Sequence, residues 1–310
     1  TSASRCKPCF AGAPCDPAFD PSRSSSFAAV PCGSPECPMD CTGSNCPFTV
    51  PFGNTTVANC TLVRDTLALS PSATFAGFTF GCVEFGAAAK TFDAAIGLID
   101  LSRSSHLLAS RVISSPPAAN GTTTAAFSYC LPSSTSSRDF LSYAPLSSNP
   151  NHPNSYFVAD VVGISVAGTQ LPVPPTVFTA ASTMLEVATE FTFLAPAAYA
   201  ALRDEFRKAM AQYAAAPPFQ VLDTCRYNFT GLDRFAVPAV ALEFGGGMKL
   251  GLAVDQTMYF TEPFSVGCLA FAAAPLPAFP VSVIGTLAQR STEVVHDVRG
   301  GRVGFIPGSC

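Results

Sequence analysis

At 310 residues, with 48% apolar and only 12% charged residues and a net charge of −4, the chain is too apolar for disorder, and it lacks the basic excess that nucleic-acid binding requires. The length exceeds what one hydrophobic core usually serves, which predicts two lobes. Twenty-six Phe without a single Trp, together with 28 Pro, favour short strands and punctuated turns over long helices.

The chain opens at Thr1 with neither an initiator Met nor a leader, and so reads as a mature form or a fragment. Seven of its 13 Cys lie between Cys6 and Cys46, whereas the three His (His106, His152, His296) are scattered. That distribution predicts disulfides and an oxidising compartment rather than zinc. Cys6-Lys7-Pro8-Cys9 has the spacing of a redox pair. No apolar strand precedes it, however, and Phe10-Ala11-Gly12-Ala13-Pro14 is a poor helix start, so a structural bridge is expected. Strand-like runs follow at 48–52, 61–69, 75–83, 127–131 and 156–166, with polar or Pro-rich loops at 22–26, 114–124, 133–137 and 147–155. The last loop falls near mid-chain and sets the expected lobes at 1–150 and 151–310.

In the second half, strands are expected at 237–244, 266–272, 281–285 and 293–305. Residues 196–213 differ: Tyr199, Leu202, Phe206, Met210 and Tyr213 recur at helical spacing behind Pro196, with Asp204 and Lys208 as an i, i+4 pair. The longest uncharged apolar run, 266–286, holds Pro275, Pro277 and Pro280, which a membrane-spanning helix does not tolerate together. Ala95-Ile96-Gly97 and Val283-Ile284-Gly285, one in each half, suggest an internal duplication. Sequons at Asn54, Asn59, Asn120 and Asn228 agree with secretion, into the extracellular or apoplastic space or alternatively the vacuole.

One carboxylate draws attention on physical grounds. Glu186 follows the apolar pair Met184-Leu185 and precedes Phe191, Phe193 and Leu194, and a carboxylate beside a buried strand is costly unless hydrogen bonds hold it. Ser128 has no His–Asp pair placed to activate it, and His296-Asp297, adjacent on a strand, point to opposite faces.

The chain resembles the plant pepsin-like aspartic proteases of the nepenthesin type, relatives of the cereal xylanase-inhibitor proteins. The resemblance rests on Cys6-Lys7-Pro8-Cys9 with Cys15, Phe19-Asp20-Pro21-Ser22-Arg23-Ser24-Ser25-Ser26, Phe80-Gly81-Cys82, Phe127-Ser128-Tyr129-Cys130-Leu131-Pro132 and Gly163-Ile164-Ser165-Val166. It continues through Ala197-Ala198-Tyr199, Leu222-Asp223-Thr224-Cys225, Cys268-Leu269-Ala270-Phe271 and Gly301-Arg302-Val303-Gly304-Phe305. It implies an all-β, bilobal acid-protease fold with a central cleft, few short helices and no cofactor. Each lobe of such a protein gives one Asp from an apolar-apolar-Asp-Thr/Ser-Gly loop, and the two acids share a proton to activate water. The implied bridges are Cys6–Cys9, Cys15–Cys82, Cys32–Cys46, Cys37–Cys41, Cys130–Cys310 and Cys225–Cys268. Cys60 remains, inside a sequon, as a thiol open to bonding another chain in an otherwise monomeric protein.

The catalytic parts depart from that pattern. The second loop reads Met184-Leu185-Glu186-Val187-Ala188-Thr189, so a longer acid replaces Asp, Val187 removes a hydroxyl and Ala188 adds a Cβ where the family has Gly. No Asp stands ahead of Cys6 in Thr1-Ser2-Ala3-Ser4-Arg5, so the first catalytic Asp is expected to be absent from this chain, whether by truncation or by loss. The flap reads Phe52-Gly53-Asn54-Thr55, which keeps a ring and loses the Tyr hydroxyl, while Asp100 stands where the family usually has Gly. The implied cleft residues are Phe52, Gly53, Val187, Ala188 and Thr189. The expected function is non-catalytic binding of a protein or peptide, a glycosidase among the candidates; the alternative is an acid endopeptidase with its first Asp upstream of Thr1 and Glu186 replacing the second.

Overall fold

The structure, a computed structural model, describes residues 20–52, 56–71, 73–83, 101, 126–131, 141–147, 158–187, 189–227, 229, 235–261, 265–275 and 282–310. The chain divides into two compact units, Thr1–Arg111 and Val112–Cys310.

In the first unit a four-stranded antiparallel sheet is built from β1 (Ala28–Ala29), β2 (Pro47–Phe52), β3 (Thr56–Ser70) and β4 (Ala73–Val83). The long β3 is its spine, paired with each of the other three. These strands cover the expected runs at 48–52, 61–69 and 75–83 and extend them. Val30, Cys46 and Leu62 form the core beneath them. The Asp20–Ser26 motif acts as a clip onto this sheet. Asp20 accepts from the Ser22 N–H at 3.0 Å and caps a single helical turn over Pro21–Arg23. The buried Asp65 on β3 then accepts from the Ser24 hydroxyl at 2.8 Å, from the Ser26 hydroxyl, and from the Thr66 N–H at 2.7 Å. Burial pushes the Asp65 carboxyl up, but these three donors outweigh it and leave the pKa below the usual value.

The cysteine pairing in this unit corrects the expectation. Cys32 bonds Cys41, and Cys37 bonds Cys46, in a crossed arrangement rather than the nested one. Backbone register supplies the reason. Pro31 bridges Asn45, the Cys32 N–H donates to Ser44, and the Cys46 N–H donates to Val30. Cys46 thus stands opposite Val30 and two residues out of step with Cys32, while each bonded pair has its Cα atoms 5.7 Å apart, well inside the bridging range. Cys82 is disulfide-bonded. Cys6, Cys9 and Cys15, like Gly53, Asn54, Ala95–Gly97, Asp100, Asn120, Ala188 and Asn228, lie outside the described residues.

In the second unit the elements run β5 (Ala126–Cys130), β6 (Ser142–Ser147), β7 (Val158–Ala159), β8 (Val161–Val166), β9 (Thr169–Gln170), α1 (Pro175–Ala181), β10 (Thr183–Leu185), β11 (Thr192–Leu194) and α2 (Pro196–Ala209). There follow β12 (Ala215–Ala216), β13 (Cys225–Tyr227), β14 (Val240–Phe244), β15 (Lys249–Leu252), α3 (Val254–Thr257), β16 (Met258–Phe260), β17 (Val266–Leu269) and β18 (Phe271–Ala273). The chain ends with β19 (Ser282–Ile284), α4 (Thr286–Gln289), β20 (Thr292–Asp297) and β21 (Arg302–Pro307). Nine strands share one sheet in the order β18-β11-β19-β10-β7-β6-β21-β20-β5, beside two four-stranded sheets, β12-β13-β17-β16 and β15-β14-β8-β9. Cys130–Cys310 and Cys225–Cys268 form as expected.

Helix α2 lays Tyr199, Leu202 and Phe206 into the main core and stops at Ala209, four residues before the periodic pattern ends, with Met210 still fully buried. The expected Asp204–Lys208 pair is replaced by neighbours closer in sequence: Lys208 reaches Glu205 at 3.5 Å and Arg203 reaches Asp204 at 2.9 Å. The Leu222–Cys225 motif docks on this helix. Asp223 accepts from the Tyr199 hydroxyl, from Thr224 at 2.7 Å, and forms an ion pair with Arg207 at 3.3 Å. Burial and the hydrogen bond to Asp223 push the Tyr199 hydroxyl up to about 12.

The interior of the large sheet depends on one glycine. Strand β10 pairs in parallel with β19, Met184 opposite Val283, and β11 flanks β19 on its other side. A Cβ on Gly285 would lie 2.3 Å from the Phe191 carbonyl oxygen, so the two backbones meet where a side chain has no room. On β20, burial alternates, with Val294 and His296 inward; Asp297 turns outward to Arg302 at 2.8 Å. His296 is stacked on Phe127 at 4.8 Å and Tyr129 at 5.7 Å between ring centroids.

These contacts set the stability of the second unit in two measurable ways. Gly285→Ala is expected to cost about 2–3 kcal/mol by overpacking, read as a lower urea midpoint at unchanged slope. Burial lowers the His296 pKa from 6.5 to about 4, so the unfolded chain binds the extra proton between those values. The contribution is present above pH 6.5 and is lost as pH falls toward 4, for a total of about 3 kcal/mol. Urea unfolding at pH 7 and pH 4 is expected to show that loss in the native protein and a smaller one in His296→Phe; equal losses would refute it.

Candidate functional site

Glu186 stands one residue past β10, where the parallel ladder with β19 would otherwise continue. Its N–H does continue the ladder, donating to the Ile284 carbonyl at 3.2 Å. Its own carbonyl accepts from the Gln289 side-chain amide at 3.0 Å. That amide also reaches the carbonyls of Ile284 at 2.8 Å and Gly285 at 3.3 Å, and its oxygen accepts from the Tyr129 hydroxyl. Gln289 is only 1% exposed. A buried amide with both ends engaged is a rigid support, because moving it would strand several polar groups at once.

The return of the loop is held as firmly. The Thr286 N–H donates to the Thr189 carbonyl at 2.8 Å and the Leu287 N–H to that of Glu190 at 3.0 Å. The Thr189 hydroxyl donates to the Glu186 carboxylate itself, at Oε2. The loop from Glu186 to Glu190 is therefore docked on the segment from Ile284 to Gln289. Tyr129 feels the result: burial, and then the negative charge of Glu186, push its hydroxyl far above the ordinary tyrosine range. It stays protonated and remains a donor to Gln289 at any physiological pH.

The structure thus joins two of the expected site residues, Glu186 and Thr189, by a direct hydrogen bond. Val187, between them in sequence, is 42% exposed and offers no donor or acceptor. Phe52 ends β2 opposite Thr56 in the first unit. Asn59 lies on β3 opposite Thr49, and Cys60 beside it is buried. Among the described residues no cluster of three His, Cys, Asp or Glu is arranged as metal ligands, and no helix is long and apolar enough to cross a membrane.

Gln289 and Tyr129 had no place in the sequence-based site. The available signal was an amide at the end of the apolar run Val283-Ile284-Gly285-Thr286-Leu287-Ala288, where a polar side chain needs buried partners. Its partners lie 103 and 160 residues away, beyond any local pattern.

The chain is similar to known proteins along nearly its whole length. The family model described as Xylanase inhibitor N-terminal matches residues 4–143, and Xylanase inhibitor C-terminal matches residues 155–307. Aspartyl protease AED1 of Arabidopsis thaliana is 32% identical over 332 residues, covering 99% of this chain, and the chain spans 66% of that protein's length. Aspartyl protease 25 of Oryza sativa subsp. japonica is 31% identical over 343 residues, covering 98% of this chain and 76% of its own. The crystal structure of edgp superposes with a TM-score of 0.70 at 17% identity, covering 91% of this chain and 82% of that one, which is a likeness of fold. The chain belongs to the plant pepsin-like aspartyl protease family, as a xylanase-inhibitor-like member.

Proposed function

We propose that this protein is a secreted, non-catalytic member of its family that acts by binding a protein or peptide. The observation that carries the reading is the state of the second acid loop: Glu186 is held by Thr189 and Gln289, yet it is one methylene longer than the family's Asp and is followed by the exposed, apolar Val187. An extra methylene moves the carboxylate by about 1 Å, and an error of that size costs on the order of 100-fold in rate. The backbone supports of the loop are meanwhile intact, which suits a scaffold kept for shape after its chemistry has lapsed. The match to inhibitor-type family models supports a protein partner, and a secreted glycosidase of microbial origin is the class to try first.

The retained Thr189–Glu186 hydrogen bond favours a second reading, an acid endopeptidase in which Glu186 takes the place of the second Asp. One preparation separates the two. Full-length glycosylated protein, incubated with a denatured protein substrate at pH 3–5, is expected to produce no pepstatin-sensitive cleavage. It is also expected to retain at least one enzyme from a panel of microbial xylanases at micromolar concentration. Pepstatin-sensitive cleavage that falls on the order of 100-fold in Glu186→Gln would overturn the binding reading in favour of catalysis.

A further inference from the structure

His296 lies under the last strand of the large sheet. On β20 it stands opposite Phe127 of β5, its ring stacked on those of Phe127 and Tyr129, and it is only 2% exposed. Strand β5 comes last in the nine-strand order and pairs there with β20. Its far end is pinned, since Cys130 bonds Cys310 and the Leu131 carbonyl accepts from the Ser291 N–H at 2.8 Å. The same strand carries the Tyr129 hydroxyl that donates to Gln289, whose amide in turn donates to the Glu186 carbonyl at 3.0 Å. The rings that cover the histidine and the hydroxyl that supports the acid loop thus belong to one strand of five residues.

We propose that β5 is an acid-released latch: a proton taken up by His296 frees the strand, withdraws Tyr129 from Gln289 and loosens the loop from Glu186 to Glu190. The far end of β5, tied at Cys130 and Leu131, is the hinge.

The groups around His296 identify burial as the force at work. On β5 the titratable side chain over the ring is Tyr129, while Ser128 points the other way and donates to Glu293 at 2.8 Å. On β20 itself Glu293 and Asp297 lie on the opposite face, Asp297 with Arg302 of β21. On β21 the residue opposite His296 is the fully buried Val303. Glu186 acts on Tyr129. The carboxylates of β20 and the guanidinium of β21 thus face away from the imidazole. A charged imidazole favours whichever state admits water to it, and release of β5 does so without unfolding the core. Once Tyr129 leaves, the Gln289 oxygen is buried without its donor, which drives that amide to reorient and release the Glu186 carbonyl. The coupling holds whether the loop binds or cuts, and so does not depend on the proposed function.

Hydrogen exchange of the native glycoprotein, read by mass spectrometry and corrected for the intrinsic effect of pH, tests the latch. With a pKa of 6.5 uncovered and about 4 covered, opening becomes about 20-fold more frequent from pH 7 to pH 5. Protection over residues 126–130 and 183–190 is expected to fall by that factor, and to stay below that of β8 and β14 at both pH values. In His296→Phe the fall is expected to shrink to less than about threefold. In Tyr129→Phe the acid loop is expected to lose protection already at pH 7, while residues 126–130 keep their response to pH. Should His296→Phe not fold, the native protein and Tyr129→Phe still decide. Equal protection of β5, β8 and β14 would mean that only global unfolding uncovers the histidine, and would overturn the proposal. So would a fall that survives in folded His296→Phe, or an acid loop indifferent to both pH and Tyr129→Phe.

Discussion

The second unit depends on close packing around β19, which pairs in parallel with β10 on one side while, on the other, Gly285 brings no Cβ toward the Phe191 backbone that leads into β11. A parallel pair of three residues each has few ladder bonds of its own. The Gln289 side chain supplies the deficit by collecting the carbonyls of Ile284, Gly285 and Glu186 around a single buried amide. Tyr129 closes the other end of that amide, and Cys130 beside it is bonded to Cys310. The acid loop is therefore tied through one side chain to strands from the beginning and the end of the unit. These bonds fix the backbone course of the loop.

The other acids of the molecule show what a structural carboxylate looks like here. Asp65 gathers three donors and holds the Ser24–Ser26 turn to β3. Asp223 gathers Tyr199, Thr224 and Arg207 and holds the Leu222–Cys225 turn to α2. Glu243, buried on β14, is neutralised by Lys249 at 2.7 Å from the neighbouring strand. Each is engaged by groups from outside its own turn, as the buried Asp65 and Glu243 must be. The Glu186 carboxylate accepts from the Thr189 hydroxyl within the same short loop.

The strands were largely legible in sequence because their apolar and β-branched runs are bounded by Gly, Pro and Ser, and β2, β3, β4 and β5 stand where those runs lie. The expected strand at 293–305 is a hairpin, β20 and β21, since Val298-Arg299-Gly300-Gly301 is a turn within an apolar stretch. Helices α3 and α4, four residues each, are too short to display a period. Glu186 drew attention in the sequence because the apolar pair Met184-Leu185 before it is local. Its supports were not legible, since Gln289 and Tyr129 come from distant parts of the chain. The crossed cysteine pairing was hidden for a similar reason: cysteine spacing leaves connectivity open, and the two-residue offset between Cys32 and Cys46 exists only once Pro31 and Asn45 have paired.

Acid adds a constraint that bears on function. A pepsin-like dyad shares its proton at low pH, and a protein using one must stay folded there. In this chain the buried His296, with its pKa near 4, begins to weaken the native state as soon as pH falls below 6.5. Asp65, Asp223 and Asp297, all held below their usual values, add to the loss once pH drops through the ordinary carboxylate range. The two effects run in sequence and in the same direction. Among the described groups with a lowered pKa, His296 and these carboxylates thus favour the native state more near neutrality than in the acid range where a pepsin-like dyad does its chemistry.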